Sequence, residues 1–209
     1  MADYDLKSDE EKAEELKAWW RSNGTSVIAG VALTVGGMFG WNYWKEHKVT
    51  QSEGASKLYS QLDQVGADST DVLKKLEDEY GSTSYAYLAA LSSAKTSCEA
   101  GKTEECIAEL KKATESPQDS LANLAKLRLA RTLVSTGKLD EAKSILSGKM
   151  PVSYQSLISE LNGDIHFAKK EFKQAYEAYD KAILSAGDQN TQLLKMKRDD
   201  LGNQLKSGA

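Results

Sequence analysis

The sequence predicts an all-α protein in which a single N-terminal membrane helix precedes a solenoid of paired helices. Three observations support this prediction. One long segment carries no charge, three later segments can be aligned at a regular spacing, and only two prolines interrupt the 209 residues. Alanine, leucine, lysine and glutamate, which lose little conformational freedom in a helix, are frequent throughout the chain.

The composition excludes several classes of function. The chain is 40% hydrophobic and 28% charged, and its net charge of -4 gives no reason to expect a nucleic-acid partner. Two cysteines and two histidines are too few for a common zinc site, and no nucleotide-binding or hydrolase motif occurs. His166 is expected to be a structural side chain rather than a catalytic base. The sequence therefore predicts a protein that is not an enzyme and that needs no cofactor, metal or small-molecule substrate.

The chain begins with an acidic tail, residues 1–23, and continues with an uncharged segment. That segment, residues 24–44, reads GTSVIAGVALTVGGMFGWNYW. At about 1.5 Å per residue its helix would be about 30 Å long, the thickness of the hydrocarbon core of a bilayer. We therefore predict a transmembrane anchor over 24–44.

Aromatic residues mark both ends of this anchor, and they include all four tryptophans of the chain. Such rings favour the headgroup level of a bilayer, whereas a helix in a soluble core has no reason to confine them to two bands. A cleaved signal peptide would have a short basic start and a small-residue cleavage site, and this segment has neither. The predicted interface aromatics are Trp19, Trp20, Trp41, Tyr43 and Trp44.

Small residues form one face of the anchor. Ala29, Ala32, Gly36 and Gly40 follow one another at helical spacing, and the last two form a small-xxx-small pair. This pattern predicts packing against another membrane helix. The alternative is that the glycines are simply tolerated, since glycine is frequent in membrane helices.

Flanking charge gives little information on orientation. Lysine and arginine residues are similar in number on the two sides of the span. A short, highly charged tail is more readily retained in the cytoplasm, whereas a long folded domain is translocated largely regardless of its charge. The tail is therefore expected in the cytoplasm and the domain outside it.

The rest of the chain, residues 45–209, is predicted to form one helical domain. Its first helix should bury an apolar stripe, and a shorter helix, 70–80, should follow with Thr70 as its N-cap and end at Gly81. The stripe consists of Val49, Ala55, Leu58, Tyr59 and Leu62.

Three segments between 84 and 187 then repeat one pattern. Each has a small residue, a turn, a second small residue and a bulky residue, and equivalent positions lie 36 and 33 residues apart. This period is typical of the tetratricopeptide repeat. The four sets are Ala94, Ala130 and Gly163; Gly101, Gly137 and Lys170; Cys106, Ala142 and Ala175; Leu110, Leu146 and Tyr179.

A terminal helix is expected to close this solenoid. Its predicted apolar face consists of Leu193, Leu194, Met196, Leu201 and Leu205. Solenoids of this kind leave a groove that takes peptides or helices of other proteins, although the repeats could equally form a plain spacer.

Cys98 and Cys106 flank one repeat turn and could form a disulfide. In an oxidising compartment such a bridge would contribute roughly 2–3 kcal/mol to stability. The alternative is two small buried thiols, with Cys106 in the place of the usual alanine.

The anchor also resembles that of a known family. The segment ELKAWWRSNGTSVIAGVALTVGGMFGWNYWKEHK is similar to the start of YfgM-type proteins, ancillary subunits of the bacterial SecYEG translocon. The most specific piece is GWNYWKEH, Gly40–His47, and LLKMKRDDL resembles the closing helix of the family.

This resemblance implies a single-pass protein of the bacterial inner membrane with a cytoplasmic N-terminus and a periplasmic domain. It implies association with SecYEG and with the chaperone PpiD, through which emerging proteins would reach periplasmic chaperones. A repeat scaffold for the assembly of another envelope or respiratory complex is the alternative function.

Overall fold

The computed structural model describes residues 8–65, 69–187 and 190–207. Within these ranges the chain forms nine α-helices, a short 3-10 turn at Val152–Tyr154 and no strand. The predicted all-α class is thereby confirmed. The helices are α1 (Asp9–Val65), α2 (Thr70–Tyr80), α3 (Ser84–Glu99), α4 (Thr103–Ala113), α5 (Asp119–Ser135), α6 (Leu139–Leu146), α7 (Gln155–Ala168), α8 (Phe172–Ser185) and α9 (Gln192–Ser207).

The chain divides into two compact units, unit 1 (Met1–Gln51) and unit 2 (Ser52–Ala209). In unit 1, helix α1 begins with a capping box. The Ser8 backbone N–H donates to Glu11 Oε2 at 3.1 Å, and the Glu11 N–H donates to Ser8 Oγ at 3.3 Å. This exchange satisfies two backbone donors that the start of a helix otherwise leaves free. The sequence Ser8-x-x-Glu11 is the signature of this capping box.

Helix α1 is the one candidate membrane span among the described residues. Its most apolar stretch has only 6% of its residues buried. The core helix of a soluble protein would be mostly buried, so the packing disfavours that alternative. The predicted limits of the span, 24 and 44, lie within α1 and remain predictions.

In unit 2 the three predicted repeats are three helix pairs: α3 with α4, α5 with α6, and α7 with α8. Every small position of the repeat alignment is buried, and so is every bulky one. At Gly163 a Cβ atom would overlap the ring of Tyr179. Small residues therefore set how closely the paired helices approach.

The three turns between paired helices share one backbone geometry. Gly101, Gly137 and Lys170 have φ angles of 73°, 77° and 60°. In each turn the N–H of the next residue donates to a carbonyl five residues back, as in Lys138 N to Leu133 O at 2.8 Å. This is the Schellman arrangement that ends a helix.

Surface ion pairs connect each helix pair to the next. Lys112 lies 3.0 Å from Glu77, Lys138 lies 2.9 Å from Glu104, and Lys169 lies 2.8 Å from Asp140. The partners come from neighbouring pairs, so these contacts repeat along the solenoid. Because their side chains are largely exposed, they contribute little to the free energy of unfolding.

A further pair precedes the three repeats. The C-terminal part of α1 packs against α2 around Leu76 and Ala55, which are both fully buried. Tyr80 lies so close to Gly54 that a Cβ at Gly54 would come within 2.7 Å of the tyrosine hydroxyl. The predicted stripe is correct for Ala55, Leu58, Tyr59 and Leu62, but Val49 is 50% exposed. The N-cap of α2 is Ser69 rather than Thr70, which is the first helical residue.

Helix α9 closes the solenoid against α8, and only part of the predicted face is buried. Leu194 and Leu201 are buried, whereas Leu193 and Met196 are 62% and 58% exposed. The packed face consists of the buried positions 194 and 201 and the half-buried positions 197 and 198, so it includes two basic residues that an apolar pattern does not reveal. The predicted Leu205 lies outside the residues whose side chains are described.

Lys170 occupies a backbone conformation that favours glycine. Replacing it with glycine should raise the free energy of unfolding by up to about 1 kcal/mol, because glycine lacks the Cβ that makes positive φ costly. The reciprocal change Gly137→Lys should lower that free energy by about 1–2 kcal/mol at the equivalent turn. Urea unfolding of the full-length protein in detergent, followed by circular dichroism, measures both variants. A destabilised Lys170→Gly variant would contradict this account of the turn.

Candidate interaction surfaces

The small-residue face of α1 in unit 1 is open. Ala29 and Ala32 are exposed, and a Cβ built on Gly36 or Gly40 would have no neighbour within 4 Å. Thr34 donates its hydroxyl hydrogen to the Gly30 carbonyl at 2.8 Å, so this polar group is satisfied within the helix. Another helix could therefore approach this face without rearrangement of α1.

The five interface aromatics are also exposed, each by half or more of its surface. The rings of Trp19 and Trp20 have centroids 6.5 Å apart, and those of Trp41 and Trp44 are 5.2 Å apart. The Lys48 ammonium lies 5.7 Å from the Trp44 ring centroid, within range of a cation–π contact. Tyr43 completes the second band. The two bands are therefore displayed as headgroup-level anchors require.

Three concave sites stand out among the described residues of unit 2. The first, the paired-charge cavity, lies between α2, α3 and α4 and has a volume of about 440 Å³. Lys112 lies at its rim, 3.0 Å from Glu77 and 3.2 Å from Glu109. The hydrogen bond to Glu77 raises the pKa of the Lys112 ammonium. Since the Lys112 charge is already matched by two carboxylates, Lys112 offers no surplus charge for a ligand.

The second site, the basic pocket, lies between α3, α4 and α5 and has a volume of about 260 Å³. Its lining residues are Leu91, Ala94, Lys95, Cys98, Cys106, Leu110, Arg128, Arg131 and Thr132. The apolar members are mostly buried and form its floor, and the three basic residues are exposed at its rim. The sequence pattern missed Arg128 and Arg131, although an arginine pair at helical spacing in a chain with few arginines was a usable signal.

The third site, about 270 Å³ in volume, lies between α7, α8 and α9 and contains the closing network. This network consists of Glu160, Asp164, Tyr179 and Lys197. The Lys197 ammonium lies 2.9 Å from Glu160 Oε1 and 2.9 Å from Asp164 Oδ1. The Tyr179 hydroxyl donates to Asp164 Oδ1 at 2.8 Å, and the ammonium lies 5.5 Å from the Tyr179 ring centroid.

Burial and hydrogen bonding act together in the closing network. Burial raises the pKa of the Tyr179 hydroxyl, and its hydrogen bond to Asp164 raises the pKa further. Burial by itself would lower the pKa of Lys197, but its hydrogen bonds to Asp164 and Glu160 outweigh that effect and raise the pKa. Lys197 is therefore a charged structural side chain at the end of the solenoid.

His166 and the cysteines complete the predicted site residues. The His166 Nδ1 atom lies 2.5 Å from Glu171 Oε2, so the imidazole connects α7 to the residue before α8. Within the described ranges, no group of three or more histidine, cysteine, aspartate or glutamate side chains is arranged to hold a metal ion. A disulfide joins Cys98 to Cys106, with Cα atoms 5.2 Å apart. Whether this bridge forms in the cell remains a proposal.

The profile of the tetratricopeptide repeat-like domain matches residues 17–203. The chain belongs to this family. The match begins before Trp19, so the matched residues include the candidate membrane span as well as the repeats.

Curated relatives agree with this membership. A protein of Haemophilus influenzae is 32% identical over 92% of this chain and 97% of its own length. A protein of Aggregatibacter actinomycetemcomitans is 31% identical over the same shares. An Escherichia coli protein is 26% identical over 86% of this chain and 89% of its own length. All three are named ancillary SecYEG translocon subunit, which confirms the predicted resemblance to that family. No solved structure matches the chain.

Lys197 should stabilise the fold by pairing two half-buried carboxylates. Lys197→Met removes this charge and should lower the free energy of unfolding by about 1–3 kcal/mol. The pKa of Lys197 is raised in the folded state, so its contribution is complete below its unfolded pKa of about 10.4 and disappears as pH rises through the folded value. Urea unfolding at several pH values measures this effect. The control is Lys195→Met, an exposed lysine on the same helix, and equal losses for both variants would contradict the role of the network.

Proposed function

We propose that this chain is a non-enzymatic ancillary subunit of the SecYEG translocon in a bacterial inner membrane. In this proposal α1 crosses the membrane once, residues 1–23 lie in the cytoplasm, and residues 45–209 lie in the periplasm. The repeats would receive proteins as they leave the translocon and connect them to periplasmic chaperones such as a PpiD-type partner.

The observation that carries the proposal is the match to three ancillary translocon subunits over most of the chain. That match includes the anchor, because the identity with the Haemophilus influenzae protein covers 92% of this chain. The open face of small residues on α1 supports a helix partner inside the membrane. The repeats support a second contact with protein outside it.

Purification from native membranes in mild detergent tests the proposal most directly. Translocon subunits and a PpiD-type chaperone should co-purify with the tagged full-length chain and be identified by mass spectrometry. Recovery of subunits of a respiratory or other envelope complex, without the translocon, would favour the alternative scaffold function.

The small-residue face gives a sharper test. Gly36→Leu combined with Gly40→Leu should leave the protein in the membrane but reduce translocon co-purification, because leucines prevent close helix approach. Neither change meets another atom of this chain within 4 Å of the new Cβ. Gly30→Leu combined with Gly37→Leu is a matched control, since these glycines are equally open and lie on another face of the helix. Undiminished recovery with the Gly36/Gly40 double variant would reject a packing role for that face.

The cysteine pair reports on orientation. In the oxidising periplasm Cys98 and Cys106 should be bridged, and the bridge should add roughly 2–3 kcal/mol to the free energy of unfolding. Cells trapped with acid and then alkylated under denaturing conditions should yield no modified cysteine unless a reductant is added first. Two free thiols in protein trapped in this way would count against a periplasmic domain.

A further inference from the structure

The basic pocket has a composition that the proposed function does not explain. Its floor consists of apolar side chains from α3 and α4, of which Leu91 is 5% exposed, Ala94 1% and Leu110 3%. The disulfide between Cys98 and Cys106 lies beside them. At about 260 Å³ the pocket is smaller than the roughly 300–1,000 Å³ of common small-molecule sites. It therefore fits one or two apolar side chains of a protein segment better than a cofactor.

The rim of the pocket carries surplus positive charge. Arg128 and Arg131 come from α5, and within the described residues neither guanidinium forms an ion pair or a side-chain hydrogen bond. Lys95 of α3 lies 3.9 Å from Glu99, but both side chains are about 70% exposed, so this pair is weak. The other arginine of unit 2, Arg198, is paired with Asp180 and Asp199.

Helix α5 has no acidic residue near the two arginines of this rim. After Asp119, its first residue, the chain contains no acidic residue until Asp140. Two arginines three residues apart on one helix repel each other, and no acid on the same helix face relieves that repulsion. The other two concave sites differ, because carboxylates line them as well as lysines, and Lys112 and Lys197 are paired with those carboxylates. The positive charges of Arg128 and Arg131 are thus available to a negatively charged ligand.

From this geometry we infer that the basic pocket binds a protein segment in which an apolar side chain is flanked by acidic residues. The apolar side chain occupies the floor, and the flanking carboxylates meet the guanidinium groups. Arginine suits this task because its planar donors match a carboxylate in a two-point contact. Three separate cations around one apolar floor match several side-chain carboxylates better than the single carboxylate of a chain terminus. This inference deepens the proposed function, since it takes a protein that leaves the translocon as the source of the segment.

Fluorescence anisotropy with the full-length protein in detergent tests the inference. The probe is a labelled peptide with blocked termini in which one leucine is flanked by two glutamates on each side. Arg128→Gln combined with Arg131→Gln should weaken binding at least about tenfold and reduce its dependence on salt. Replacement of the peptide's leucine with glycine, or of its glutamates with glutamine, should weaken binding to the unchanged protein.

The matched control is Lys173→Gln combined with Lys181→Gln on α8. It removes the same net charge from exposed positions that do not line the basic pocket. Equal loss in this control would show that net charge alone attracts the peptide and would overturn the inference. Unchanged binding by the double arginine variant would do so as well. Arginine-dependent binding to vesicles of anionic lipid, with no binding of the peptide, would assign the pocket to a membrane surface instead.

The translocon experiment separates this inference from the proposed function. The double arginine variant should still co-purify with translocon subunits through α1, because its changes lie in the repeats. If the unchanged chain binds the peptide but recovers no translocon, the proposed function fails and the pocket stands. If it recovers the translocon but does not bind the peptide, only the pocket fails.

Discussion

The close approach of paired helices at small residues is the constraint on which unit 2 depends. Ala94, Ala130 and Gly163 lie on the first helix of each pair, and they are buried against the second helix. A larger side chain at these positions would separate the helices and open the core, since protein interiors have almost no free volume. Gly163 shows the constraint most directly, because the ring of Tyr179 occupies the space that a Cβ would need. Closely packed antiparallel helices need a short connection. The Schellman endings provide it, because they reverse the chain direction within a few residues.

The same constraint creates the concave sites. Helices that pack closely within a pair leave wider gaps where one pair meets the next, and the described cavities lie at those junctions. The three sites differ in how their charged side chains are paired. Lys112 at the paired-charge cavity and Lys197 in the closing network are each paired with carboxylates of the chain. The charged residues that line the basic pocket are all cations, Lys95, Arg128 and Arg131. At the end of a solenoid, charged side chains are paired within the chain, so that no further repeat stacks there. At an interaction surface, unpaired charges are available to opposite charges of a partner.

Glycine has opposite meanings in the two units. In unit 2, tyrosine rings of the same chain occupy the space where a Cβ of Gly163 or Gly54 would lie. In unit 1, Gly36 and Gly40 face open space. A core glycine allows a close contact within the chain. An open glycine on a candidate membrane helix allows another helix to approach closely. This difference is why the anchor is proposed as an interaction surface in its own right.

The sequence by itself determined the helical class, the candidate span, the period of the repeats and the positions of their turns. These features depend on local rules: an uncharged segment of membrane length, small residues at a fixed spacing, and glycine at two of the three repeat turns, where φ is positive. Tertiary structure alone decided that the end of α1 pairs with α2, that Lys197 rather than Met196 contacts the carboxylates of α7, and that Arg128 and Arg131 share a pocket with Lys95. Periodicity treats a charged residue as solvent-facing, and it cannot show which carboxylates from distant helices meet that charge. Carboxylates of α7 pair with Lys197, so its charge stabilises the fold. No carboxylate of the described residues pairs with Arg128, so its charge is available to a partner.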